Sequence, residues 1–143
     1  MRGVYWVHLK VESGGAKQLR VMIVDDQSAV CEVVADSVRY AGFDVVATAR
    51  DGAEAVAVAA QARPDAVVMD IAMPKMNGVE AMRAMLAAGT VWRVALMSGE
   101  YRSLGLTQED LVAAGASAFL EKPFSVTDLF SLLERWAAEL PRG

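Results

Sequence analysis

The sequence predicts an α/β fold: a five-stranded parallel sheet in the order 2-1-3-4-5, doubly wound, with five helices. Three observations predict it. From Leu19 onward, short apolar runs alternate with longer stretches of helical spacing, the mark of βα units. Five such units follow one another along the chain. Right-handed crossovers make their strands parallel, and for five strands covered on both faces 2-1-3-4-5 is one common solution.

The elements follow in order. Leu19–Val24 is an apolar run ending in Asp25-Asp26, and Gln27 to Ala41 places Val30, Val33, Val34 and Val38 at helical spacing before Gly42 stops it. Asp44–Ala49 is the second strand. Asp51 with Glu54 three residues on opens an Ala-rich helix that ends before Arg63-Pro64. Asp65–Asp70 is apolar on both faces, as a central parallel strand should be, and also ends in a carboxylate. After a loop from Ile71 to Asn77, Asn77 and Glu80 cap a third helix running to Ala88-Gly89, and Trp92–Ser98 is the fourth strand. A longer loop, Gly99 to Leu106, leads to Thr107 and Asp110, the cap of a short fourth helix ending at Gly115. Ser117–Glu121 is the fifth strand; Ser125 and Asp128 cap a last helix with Leu129, Leu133, Trp136 and Leu140 on one stripe.

With 143 residues, 55% of them apolar and 22% charged, the chain suffices for one domain with a real core. Fourteen basic against eighteen acidic side chains leave a net charge of -4, which argues against nucleic acid or an anionic membrane as partner. Cys31 is the single cysteine and His8 the single histidine, so an intramolecular disulfide, zinc clusters and histidine triads are excluded. No apolar run reaches the roughly 20 residues that span a bilayer, and Arg2, His8 and Lys10 interrupt the first stretch, so a cytoplasmic protein is expected.

In a doubly wound sheet the crevice lies beyond the carboxyl ends of the strands, where the strand order reverses. Asp25, Asp26 and Asp70 all fall there. Three converging carboxylates repel one another unless a cation neutralises them, and an oxygen-only ligand set with room for water favours Mg²⁺, with Mn²⁺ as substitute. Taken alone, Asp25-Asp26 reads equally well as a charge pair at a helix N-terminus. Ser98 at the end of the fourth strand and Lys122 after the fifth bring a hydroxyl and an ammonium to the same edge. A carboxylate nucleophile, a divalent ion, a hydroxyl donor and a lysine are what phosphoryl transfer to an aspartate requires.

From Leu19 to about Leu140 these motifs resemble the receiver domain of two-component response regulators, of the flavodoxin-like, chemotaxis-regulator-like kind. The resemblance rests on Asp25-Asp26, on Met69-Asp70-Ile71-Ala72-Met73-Pro74 with Asn77-Gly78, on Ser98-Gly99 and on Lys122-Pro123-Phe124. It implies that Asp70 is the phosphoacceptor, that Asp26, Asp70 and the Ala72 backbone carbonyl ligate Mg²⁺, and that Asp25 acts through a bound water. It also implies that Ser98 and Lys122 hold phosphoryl oxygens, that the Lys122–Pro123 bond is cis, and that Phe119 is the switch aromatic. Ordinary packing on an alternating strand is the other reading of Phe119.

The implied protein is a stand-alone, phosphorylated receiver and not an enzyme in the usual sense. It takes a phosphoryl group from a histidine kinase or phosphotransfer protein that sees mainly the first helix and the loop near Pro123. Output runs by protein contact through helix four, strand five and helix five, where Tyr101, Phe130 and Trp136 offer apolar area, although packing explains Trp136 better than docking does. Two rivals remain: an Mg²⁺-dependent aspartyl phosphatase or phosphotransferase on small molecules, and a receiver-like interaction module that is never phosphorylated. The adjacency of Asp25 and Asp26 argues against the first, because that chemistry usually places its two acids two residues apart.

Two regions depart from the family pattern. Ala72, two residues past the acceptor, cannot hold an attacking water through its side chain, whereas Glu100, two past Ser98, can; slow self-hydrolysis aided by Glu100 is expected. The loop from Gly99 to Leu106 is slightly long, with Gly99 and Gly105 as hinges. Residues 1–18 lie outside the resemblance. There Tyr5, Val7, Leu9 and Val11 alternate with polar or amphipathic residues as an added edge strand would, open to a homodimer, and Ser13-Gly14-Gly15 reads as a linker. Residues 141–143 form a short tail.

Overall fold

Strand and helix alternate from Arg20 onward in the computed structural model, which describes residues 18–141. The elements are β1 (Arg20–Val24), α1 (Ser28–Tyr40), β2 (Asp44–Ala49), α2 (Gly52–Ala62), β3 (Ala66–Asp70), α3 (Gly78–Ala88), β4 (Arg93–Ser98), α4 (Gln108–Ala114), β5 (Ala118–Glu121) and α5 (Val126–Glu139). The strands form one parallel sheet in the order β2-β1-β3-β4-β5. That is the expected topology. The added strand and linker expected within residues 1–17, and the last two residues of the tail, lie outside the described residues.

Successive side chains of a strand point to opposite faces, and this period divides the core into two layers. Val21, Ile23, Val68, Ala95 and Met97 face α1 and α5, meeting Cys31, Ala35, Val38, Leu129, Leu133 and Trp136. Met22, Val24, Val67, Met69, Val94 and Leu96 face α2, α3 and α4, meeting Ala55, Ala59, Ala81, Met82, Met85 and Leu111. Every residue of β3 is buried, as a central strand covered on both faces requires. Among the described residues no helix is long and apolar enough to cross a membrane.

The helix starts follow the capping chemistry. Asn77 accepts the N–H of Glu80 while Glu80 reaches back to the N–H of Asn77, and Thr107 and Asp110 do the same for α4. Ser125 accepts the N–H of Asp128. Asp51 accepts the N–H of Glu54, but the Glu54 carboxylate takes the N–H of Arg50, one residue before the cap. Each such cap contributes about 1 kcal/mol.

Two expectations are corrected. The inward face of α1 is Cys31, Ala35 and Val38, with Val30 and Val34 at its margin and Val33 63% exposed. Residues 31, 35 and 38 recur at helical spacing, so the buried stripe is turned by one position from the one that the valines mark. Tyr101 is not surface area for docking: it is 3% exposed and belongs to the core between the sheet and α2, α3 and α4. Trp136 is buried as well, 2% exposed against the sheet.

Candidate functional site

Parallel strands in register end together, and here the ends carry the polar groups. β1 passes into Asp25 and Asp26, β3 ends on Asp70, β4 ends on Ser98 and β5 leads into Lys122. Asp70 lies opposite Met97 and Ser98 opposite Glu121 in the ladders, and the Lys122 N–H donates to the Ser98 carbonyl at 3.1 Å. The Asp25 N–H donates to the Ala49 carbonyl at 3.1 Å, which ties the turn after β1 to the end of β2.

Asp25 is fully buried. Its Oδ1 accepts the N–H of Gln27 at 2.9 Å and its Oδ2 accepts from Lys122 Nζ at 3.2 Å, so it is more than a charge at a helix start. The same Nζ lies 3.8 Å from Asp70 Oδ2. Asp25, Asp26 and Asp70 each present a carboxylate oxygen within 4.8 Å of the other two; Asp26 is exposed and Asp70 buried. Three carboxylates against one ammonium leave two negative charges, which one divalent cation balances. Oxygen donors facing an open cleft suit a hard ion that keeps some of its water, so the donor set fits Mg²⁺ or Mn²⁺.

Burial pushes the Asp70 carboxyl up to about 6; the Lys122 ammonium opposes the rise, Asp25 and Asp26 add to it, and the Ala72 N–H opposes it. Ser98 is 1% exposed and its Oγ accepts the N–H of Glu100 at 2.9 Å, which leaves the hydroxyl proton for an acceptor in the cleft. The Lys122–Pro123 peptide bond is cis.

Above these groups lies a cleft of about 280 Å³, lined by Asp26, Asp70, Ala72, Ser98, Glu100 and Lys122 together with Gln27 and Gly99. A hollow of about 510 Å³ adjoins it, shares Asp26 and Ala72, and runs past Lys75 to Leu104 and Leu106. The floor is set by close backbone packing. Gly78, the first residue of α3, donates to the Ile71 carbonyl at 2.9 Å, and a Cβ on it would fall 2.3 Å from the Asp70 carbonyl oxygen, so only glycine lets α3 start there.

Of the residues singled out in the sequence, Asp26, Asp70, Ala72, Ser98, Glu100 and Lys122 line one cleft, with Asp25 beneath it. Phe119 stands apart. Its ring packs on the α2, α3 and α4 side of the sheet, edge-on to Tyr101. Gln27 at the cleft was not singled out in the sequence, Gly99 was read as a motif and hinge residue, and Tyr101 was read as surface; each lies within three residues of a strand-end residue of the site.

A family model for the response regulator receiver domain matches residues 21–134. The chain is 34% identical over 123 residues to the transcriptional regulatory protein PdtaR of Mycobacterium tuberculosis, covering 86% of this chain and 58% of that protein. It is 42% identical over 118 residues to the transcriptional regulatory protein PrrA of Mycobacterium bovis, covering 80% of this chain and 48% of that one. It thus spans about half the length of these curated relatives. Among solved structures, the signal receiver domain of the putative response regulator NarL from Mycobacterium tuberculosis superposes with a TM-score of 0.76 at 27% identity, covering 85% of this chain and 98% of that one. The chemotaxis response regulator CheY4 of Vibrio cholerae gives 0.71 at 30% identity, covering 83% and 98%. A sheet whose strand ends gather three aspartates, a serine and a lysine thus coincides with a family match over most of the chain: it belongs to the response regulator receiver domain family.

Proposed function

We propose that this chain accepts a phosphoryl group on Asp70 from a phosphohistidine of a kinase or phosphotransfer protein, with Mg²⁺ in the acidic cleft, and signals through contacts that depend on that modification. The observation that carries this reading is the joint placement of Asp70 with two further carboxylates inside 4.8 Å and with Lys122 Nζ 3.8 Å away. An Asp70 carboxylate oxygen attacks the phosphorus, the P–N bond to the donor histidine breaks, and the imidazole leaves with the bonding pair. Asp26, Asp70 and the Ala72 carbonyl are the groups that would hold the ion. When bound it supplies charge neutralisation for a dianionic group entering a negative site.

The chain's own residues do the rest. Asp70, raised to about 6, is mostly ionised at neutral pH and available as nucleophile. Lys122 pairs with one equatorial oxygen as its hold on Asp25 and Asp70 is shared, and Ser98 donates its hydroxyl proton to another. Burial of Asp25 and Asp70 strengthens each of these contacts. Drawing Ser98 toward the phosphoryl group pulls on the Glu100 amide that it holds, next in sequence to Tyr101, whose ring abuts Phe119. This gives Phe119 its role as the switch aromatic, read by a partner at α4, β5 and α5.

The test is incubation with acetyl phosphate and Mg²⁺ followed by intact-mass measurement. Wild type gains one phosphoryl group, Asp70→Asn gains none, and chelation of the metal prevents the gain. Repeated turnover of a small phosphoester, or an unmodified wild type, contradicts the reading.

A further inference from the structure

We infer that Gly52, on a neighbouring helix and outside the cleft, is a positioning residue for the loop that carries Ala72 into it. This rests on the proposed role of that loop in holding Mg²⁺. Gly52 is the first residue of α2 and is buried. A Cβ built on it would lie 2.4 Å from the Met76 carbonyl oxygen, 2.9 Å from Met76 Cβ and 3.0 Å from the Met76 carbonyl carbon. Two of the three atoms are backbone, so no rotamer change relieves the contact. Its φ is not in the left-handed region, so the requirement for glycine here is one of space, not of backbone conformation.

The surroundings decide where the displacement goes. The start of α2 is held by Asp51, which accepts the Glu54 N–H, by Glu54, which accepts the Arg50 N–H, and by its place directly after β2. The far end of the loop is held as firmly, by the reciprocal Asn77–Glu80 cap and by Gly78 against the Asp70 carbonyl. Between those anchors the loop is closed at its base by the Gly78 N–H to the Ile71 carbonyl at 2.9 Å and is folded on itself by the Met76 N–H to the Pro74 carbonyl at 2.9 Å. A push on Met76 therefore passes into residues 72–75, which include Ala72 at the cleft. Moving the pair from 2.4 Å to even the tightest tolerated contact of 3.0 Å demands a shift of at least about 0.6 Å, larger than the roughly 0.5 Å within which a functional constellation must be held.

Gly52→Ala then has two separable effects. In the helix, alanine is no worse a former than glycine, so its intrinsic preference does not weaken α2. At the cleft, the Mg²⁺ half-saturation concentration rises about tenfold, the size expected when a group that orients a ligand is disturbed. Calorimetric titration with Mg²⁺, with Mn²⁺ as a second probe, reads the metal directly; Mg²⁺ dependence of acetyl phosphate labelling reads it through Asp70. Ala57→Gly, exposed in the middle of the same helix, is the control that loosens α2 without touching the loop. Met76→Gly slackens the loop from its own side and serves if Gly52→Ala does not fold by circular dichroism.

The expected result is weaker metal binding in Gly52→Ala and Met76→Gly, unchanged binding in Ala57→Gly, and labelling of Gly52→Ala that recovers at high Mg²⁺. Wild-type affinity in Gly52→Ala, or equal weakening in Ala57→Gly, overturns the positioning role while leaving the phosphoacceptor reading intact. A wild type that takes neither metal nor phosphoryl group overturns both.

Discussion

The rings of Tyr101 and Phe119 meet edge-on, with centroids 4.6 Å apart and planes inclined at 68°. One belongs to the loop that follows Ser98 and the other to the edge strand β5, so on one face of the sheet the pair joins the lip of the cleft to the edge strand. Edge-to-face pairs contribute about 1 kcal/mol beyond the area they bury. Tyr101→Ala, at a site 3% exposed, should lower unfolding stability by about 3 kcal/mol. Phe119→Ala, half-buried, should cost less. A double-mutant cycle in urea should return a coupling of about 1 kcal/mol. Both variants should still be labelled on Asp70 and should lose phosphorylation-dependent partner binding. Equal partner affinity in Phe119→Ala and wild type removes the aromatic pair from the signalling path.

Lys122 serves two carboxylates, and its removal should move two measurements in opposite directions. Without it the acidic cluster carries one more uncompensated negative charge, so Mg²⁺ binds more tightly. Labelling by acetyl phosphate, in contrast, loses a donor to the transferred group and should slow about a hundredfold. Lys122→Ala examined by calorimetry and by mass spectrometry distinguishes this from simple collapse of the site, in which both would weaken.

The raised Asp70 carboxyl makes a stability prediction with a definite sign. Below pH 3.8 the group is protonated in both the folded and the unfolded chain, and it costs nothing. Between 3.8 and about 6 the unfolded chain has released its proton while the folded one retains it, so stability falls as pH rises through this window and stays lowered above it. The rise converts to at most about 3 kcal/mol. In chelator, Asp70→Asn should therefore be more stable than wild type at pH 7, by up to about 3 kcal/mol in urea titrations, with the gain vanishing near pH 4. Added Mg²⁺ should stabilise wild type and narrow the difference.

How much of this was legible in the sequence depends on whether a feature is local. Asn77 with Glu80 and Thr107 with Asp110 are read from a spacing of three residues, and both pairs form reciprocal caps. The strand-end residues were equally legible, because a parallel sheet turns five separate positions in the chain into one rim once the strand order is known. The face of α1 was not. Valines at 30, 33, 34 and 38 make a convincing stripe, yet only Val38 of the four lies on the buried face with Cys31 and Ala35, at helical spacing, while Val30 and Val34 fall at its margin and Val33 outside it. Tyr101 escaped for another reason. Its burial depends on the path of the chain from 101 to 105, where successive turn bonds fold the loop back over the sheet. Gly52 read only as part of a helix-start signal, because its neighbour Met76 is brought to it by tertiary packing alone.

Glu100 is the last residue whose chemistry can be isolated. Its backbone N–H donates to Ser98 Oγ at 2.9 Å, which holds this exposed residue at the lip of the cleft that it helps to line. Ala72, which also lines the cleft, has no polar side-chain atom. If Glu100 orients the attacking water, as the sequence leads one to expect, the effect is bounded by what a single positioned general base contributes, typically about a hundredfold or more. An exposed carboxylate at the lip is less well held, so a reduction of about tenfold in hydrolysis is the expected effect of Glu100→Ala. Because the substitution leaves the Glu100 amide in place, Ser98 keeps its partner and the rate of labelling should not change. The measurement is the decay of phosphorylated protein after removal of acetyl phosphate, followed by intact mass, for wild type, Glu100→Ala and Glu100→Gln. Decay of Glu100→Ala as fast as wild type assigns the hydrolytic water to solvent alone; slow decay in both variants assigns it to the carboxylate's charge as base, and recovery in Glu100→Gln assigns it to hydrogen bonding.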